Sequence, residues 1–212
     1  MLSFRVYPCL APNFIQTDLL RARDRHTVWG TWNGITERDG EEIRRVATLL
    51  RFFGGLGFLQ SANWVPHSPD VLQMSAGVFG SAIPGEGLHA GDMLYFLVNR
   101  KGEALQAPQL DISALPSKLK FYDCWNGSEL KPTPQHELEF TIEGNGYSCV
   151  FATATAAELE STPGPTESEL RSEAPLVPAD LSGLLKTMAA LTRRPISGFS
   201  PTFHYLNQTM IG

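Results

Sequence analysis

The 212 residues, 42% of them apolar and 18% charged, suffice for one ordinary domain with appendages or two small ones, with enough apolar weight to bury a core. A net charge of −5 and a pI of about 5.5 exclude the basic stripe of a nucleic-acid surface and select no other partner. No apolar run is long enough to cross a membrane. The opening "MLSFRVYPCLAPNF" has one Arg and no long apolar stretch, so no signal peptide is evident. A soluble protein is expected, its compartment unknown, with the cytoplasm slightly favoured.

Gly and Pro together make up about one residue in six, which fits a loop-rich or all-β body. Cys9, Cys124 and Cys149 are odd in number and lack metal-ligand spacing, so a disulfide framework is not expected. Cys124 and Cys149 fall in two candidate strands and could be neighbours, either bridged or as buried free thiols. Asn126-Gly-Ser and Asn207-Gln-Thr have the form of glycosylation sequons.

In chain order, "LSFRVY" alternates like a strand, and "TDLLRARDRHTVWGTWNG" reads as a helix from Asp18 to the glycines. The clearest element is "DGEEIRRVATLLRFFGG". Asp39 is its expected N-cap, with Glu42 three residues later. Ile43, Val46, Ala47, Leu50 and Phe53 recur at helical spacing, Arg44, Arg45 and Arg51 keep the outer side polar, and Gly54 and Gly55 supply the stop. "LGFLQSANWVPHSPD" is a connector, since Pro66 and Pro69 disfavour helix before them.

From residue 71 the period changes to two. "VLQMSAGVFGSAI" is read as a first strand region with a glycine bulge, and "DMLYFLVN" as a nearly continuous apolar strand turned by "RKGE". "LQAPQLDI" is an edge strand because of Pro108. "KLKFYDCW" places Leu119, Phe121 and Asp123 on one face, Tyr122 and Cys124 on the other. Asn126-Gly127 is a strong short-hairpin signal. "HELEFTIEG" sets Leu138, Phe140 and Ile142 against Glu137, Glu139, Thr141 and Glu143. "NG" at 145–146 turns into "YSCVFATA". Strands and turns at this spacing indicate an antiparallel sandwich. "ATAAELESTPGPTESELRSEAPLVP" lacks aromatics and reads as a linker. "ADLSGLLKTMAALTRRP" forms a short helix with Leu181, Leu184, Leu185, Met188 and Leu191 on one flank, followed by an aromatic tail.

In order, "VWGTWNGITERDGEEIRRVATLLRFF", "WVPHSP", "GVFGSAIP", "LVNRKG", "PQLDI", "FYDCWNGSEL" and "IEGNGYSCVFA" resemble the end of a glycoside-hydrolase-like chain. There the last helical segment of a (β/α) barrel is followed by a C-terminal β-sandwich. The likeness is to proteins in which this pair precedes a formylglycine-generating (sulfatase-modifying factor) domain. "LLKTMAALTRRPISGFSPTFHYLNQTMIG" is similar to the approach to that domain. The resemblance runs from about residue 20 onward. At most the last barrel helix fits before residue 56, because a complete barrel needs about 250 residues. The chain is therefore expected to be a fragment, and no active-site residue of either family carries over to it.

The residues offer little reactive chemistry of their own. His26, His67, His89, His136 and His204 are scattered without zinc-ligand spacing. The pairs Asp18 with Asp24 and Glu37 with Asp39 are carboxylates near the barrel-like segment, which glycoside chemistry would need face to face. Helix capping and solvation explain both pairs, and that reading is favoured over catalysis. "GVFGSAIPGEG" lacks the Lys and helix of a phosphate loop. Trp64 and Trp125 are the candidates for stacking on carbohydrate, against core packing as the alternative. Trp29 and Trp32, three apart, fit one face of a helix.

The expected fold is α+β: a helical segment over 1–56, a connector over 57–70, an antiparallel β-sandwich of six or seven strands over 71–154, a disordered linker over 155–178, and a short helix and tail over 179–212. The expected role is a non-catalytic accessory sandwich that supports a barrel or contacts carbohydrate. The alternative is part of an enzyme, a glycoside hydrolase or a formylglycine-generating oxidase linked to sulfatase maturation, whose catalytic parts lie outside the chain. No cofactor, metal, nucleic acid or membrane is expected; carbohydrate and the neighbouring domains are the expected partners. A helix 43–53 left without its barrel would expose an apolar face and favour self-association.

Overall fold

The computed structural model describes residues 37–155, 164–171, 176 and 178–193, with the backbone alone at 37–43, 171 and 193. The expected strand and helix before residue 36, Trp29, Trp32, Cys9, His26, Asp18, Asp24, His204 and the tail lie outside these residues. So do the side chains of Glu37 and Asp39.

The elements are helix α1 (Glu37–Gly55), strands β1 (Val78–Pro84), β2 (Met93–Asn99), β3 (Leu105–Asp111), β4 (Lys120–Asp123), β5 (Ser128–Leu130), β6 (Glu137–Ile142) and β7 (Tyr147–Thr153), and helices α2 (Glu167–Arg171) and α3 (Leu181–Arg193). The fold is α+β. Five strands form one antiparallel sheet in the order β1-β2-β7-β4-β5, and β3 pairs with β6 in a second.

The five-stranded sheet has a core on each face. On one lie Leu49, Phe52 and Phe53 of α1, Leu170 of α2, and Leu184, Leu185, Met188 and Leu191 of α3. They pack against Leu94, Phe96, Tyr122, Cys149 and Phe151. On the other, Leu110 of β3 and Leu138, Phe140 and Ile142 of β6 pack against Tyr95, Leu97, Phe121, Val150 and Ala152. The central strands β2 and β7 are covered on both sides, which is why they read as almost unbroken apolar runs. Strand β6 has one wet face, and its alternation survives: Leu138, Phe140 and Ile142 are buried while Glu139 and Thr141 are exposed.

Several expectations are corrected. Helix α1 begins at Glu37, so Asp39 lies inside it and is not its N-cap. Its most buried apolar residues are Leu49, Phe52 and Phe53, with Val46 and Leu50 half-buried. Among the described residues that apolar face lies against α3 and the sheet, so no exposed apolar face of α1 is seen there. The first strand starts at Val78; residues 71–77 are turns that lean on it. Its pairing with β2 runs without a register shift, so the glycines make no bulge there. The irregularity falls in β3, between Pro108 and Leu110, where proline cannot donate to the ladder. Within 155–178, residues 167–171 are a helix whose Leu170 is buried, and that part is no disordered linker.

The connector has a structural task. Val65 and Ala82 exchange both backbone hydrogen bonds, Ser68 N–H donates to Gly80, and Leu72 N–H donates to Gln109. It covers the outer edge of β1 and joins the two sheets, as an unprotected edge would otherwise invite pairing with another chain. The Tyr95 hydroxyl donates to Asp70 (2.9 Å), anchoring the connector to β2. Burial, then the Asp70 carboxylate, push that phenol far up.

Candidate functional site

Among the described residues, a set of polar and charged side chains that links separate elements surrounds the turn after β4. The pairs Asp123↔Ser128 and Tyr122↔Glu129 leave residues 124–127 as a four-residue loop. Asn126-Gly127 is therefore not the two-residue turn that its sequence suggests. Only Gly127 takes the left-handed conformation, at φ 71°, and its N–H donates to the Asp123 carbonyl (2.8 Å). The Asp123 carboxylate organises the loop from beneath: it accepts from the N–H groups of Trp125 (2.9 Å) and Asn126 (3.0 Å) and from the Asn126 side-chain amide (2.7 Å).

Above the loop sits Arg45. Its guanidinium donates to the Trp125 carbonyl, lies 4.0 Å from the Trp125 ring centroid, and donates to Thr192 Oγ1 (3.0 Å). One side chain of α1 thereby ties the β4–β5 turn to α3. Arg44, on the same helix, donates to the carbonyls of Glu169 and Leu170 and secures α2. Both arginines were read from periodicity as solvated outer positions. The structure gives them partners on other elements, and Arg51 alone of the three is exposed.

Asp123 is 3% exposed. Burial pushes its carboxyl above the ordinary value of 3.8, and this outweighs the opposing hydrogen bonds from Asn126 and Trp125 and the charge of Arg45. The three donors are backbone and amide groups of its own turn, so its work is to shape that turn. Trp125 is 6% exposed, with Arg45 over its ring and Tyr147 packed edge-on at 5.9 Å. It offers no open face for a sugar and packs in the core, the alternative set beside stacking. The Asn126 sequon is equally engaged, since the amide nitrogen that would carry a glycan is hydrogen-bonded to Asp123.

Trp64 is half-buried against the helix-side core, and its indole N–H is buried without a hydrogen-bond partner among the described residues. It lies on the connector, on a different element from Trp125. Glu86 accepts from Ser61 (2.7 Å) and Asn63 (3.0 Å), pinning the β1–β2 loop to that connector. His67 and His136 are exposed, and His89 faces Asp92 at 3.1 Å. No group of three or more His, Cys, Asp or Glu side chains able to hold a metal occurs among the described residues. Glu139 and Glu143 are exposed, as a wet strand face requires. Cys124 and Cys149 are neighbouring buried free thiols.

The residue that sequence reasoning missed is Arg45. Its one available signal was its place on the flank of an otherwise apolar helix, where a long side chain can reach over a neighbouring element. No helix among the described residues is long and apolar enough to cross a membrane. No family model matches the chain, and no curated protein is similar to it.

Proposed function

We propose that the chain is a non-catalytic accessory β-sandwich module of a glycoside-hydrolase-like protein, of the kind that precedes a formylglycine-generating domain. Its work in this reading is to hold a preceding barrel in place. The supporting observation is the attachment of α1, the element that leads into the sandwich. It is fixed by Leu49 and Phe53 in the core and by Arg44 and Arg45 on the carbonyls of Leu170 and Trp125. A helix held at both its apolar and its charged flank passes on a fixed orientation to whatever precedes it. A flexible tether would not.

Contact with carbohydrate is the weaker part of the proposal, because Trp125 is covered and Trp64 is half-buried. Two measurements test the reading. The source gene is sequenced upstream, where barrel strands in the same open frame are expected. The isolated chain is then assayed on aryl glycosides and on a cysteine-containing sulfatase peptide, with no turnover expected. A stop codon directly upstream, or turnover by the isolated chain, refutes it.

A further inference from the structure

Independently of that reading, we propose that Cys124 and Cys149 are a latent dithiol, converted to a cross-strand disulfide by a low-molecular-weight disulfide such as glutathione disulfide, at a rate set by opening of the helix layer. The register Asp123↔Val150 places Cys124 directly opposite Cys149, and Cys124 N–H donates to the Cys149 carbonyl (2.7 Å). Both side chains enter the helix-side core, both are 0% exposed, and the two thiols share a hydrogen bond. The backbone hydrogen bond marks a hydrogen-bonded pair, whose Cβ atoms lie about 5.5 Å apart, so closing the bond draws the strands together by roughly 1 Å or more.

The reaction balances in two exchanges. The thiolate of one cysteine attacks a sulfur of glutathione disulfide, forming a mixed disulfide and expelling one glutathione thiolate, which takes up the proton lost by that cysteine. The second cysteine, deprotonated, attacks the protein sulfur of the mixed disulfide. The Cys124–Cys149 bond forms, and a second glutathione leaves and is protonated. The protein pair loses two electrons and two protons, and the reagent disulfide is reduced to two thiols. The second step is intramolecular between adjacent groups, so the mixed disulfide does not accumulate.

Burial protects the pair in the closed protein. It pushes the Cys149 thiol up, with Cys124 reinforcing the effect, and thiolate is the reactive form. The helix-side core that encloses both sulfurs includes Leu184, Leu185 and Met188 of α3. The same core includes Leu49, Phe52 and Phe53 of α1, so reaction requires the helix layer to open, and the oxidised form would hold β4 to β7 beneath it.

The test uses the reduced full-length chain in a glutathione disulfide buffer, with and without urea below the unfolding midpoint, and also refolded from urea in that buffer. Thiols are trapped with N-ethylmaleimide and peptides are mapped by mass spectrometry without reduction. The expected product joins the Cys124 and Cys149 peptides and leaves Cys9 out of the bond. It forms faster in dilute urea, and the oxidised chain melts about 5–10 °C higher than the reduced one. Persistent glutathione adducts on Cys124 or Cys149, a bond to Cys9, thiols still free after refolding, a rate indifferent to urea, or a lower Tm each overturn the proposal.

Discussion

Replacing Gly127 by alanine perturbs the junction of turn and helix at one atom. The added Cβ would overlap the Leu185 carbonyl oxygen and lie 2.6 Å from the Ala189 nitrogen and 2.8 Å from its Cβ. The obstacles are mainly α3 backbone, so no side chain can swing aside to make room. Two costs combine. Holding an L-residue at φ 71° costs roughly 1–2 kcal/mol. Overpacking against a backbone that must shift adds roughly 1–3 kcal/mol. Reduced freedom of the unfolded chain returns about 0.4–1 kcal/mol. The expected net loss is about 1–4.5 kcal/mol. Gly87→Ala is the matched control: φ is 58°, and nothing lies within 4 Å of the new Cβ, so only the conformational cost remains. Urea unfolding followed by circular dichroism measures both variants. Gly127→Ala should be the less stable by about 1–3 kcal/mol, the overpacking share alone. Equal losses would show that α3 does not rest on the turn.

Arg45→Ala removes the hydrogen bond to the Trp125 carbonyl and the cation over its ring, and should cost about 2–3 kcal/mol in the same urea assay. A loss below about 0.5 kcal/mol, the level of an ordinary surface change, would count against the bracing role. Leu185→Ala, in the helix-side core, should cost about 2–5 kcal/mol and raise the exchange rate of amides in α3; unchanged exchange would contradict the packing described. Asp123 binds its proton more readily in the native state, so its contribution is fully present below the ordinary value of 3.8 and is lost as pH rises through the raised native value. The stability of Asp123→Asn relative to the parent should therefore improve as pH rises from about 4 to 7, as unfolding measurements across that range would show. A flat difference, or one of opposite slope, would show that the carboxyl is not held up by burial.

Six of the seven strands, α1 and α3 were legible because each carries a local signature; β5, three residues long, carries none. Period-two alternation marked β6, an apolar run marked β2 and β7, and Leu184, Leu185, Met188 and Leu191 marked the face of α3. The glycine stop of α1 was also visible. The cap was misplaced because Asp39 is a good N-cap by residue type, yet the helix continues two residues further back.

What no local pattern could supply was the pairing of elements distant in the chain. β7 inserts between β2 and β4, β3 leaves to pair with β6, and α3 returns to cover α1. Chain composition does not encode which apolar face meets which, because burial is non-directional and many pairings bury similar area. The same reason hid the site. Arg45, Asp123 and Thr192 are unremarkable each in its own window, and they acquire their roles when α1, the β4–β5 turn and α3 converge. The sequence alone determined which segments must be helix or strand and which side of each must be dry. Tertiary structure decided that Trp125 lies under an arginine, that the apolar flank of α1 is covered, and that two cysteines with β5 and β6 between them in the chain face one another.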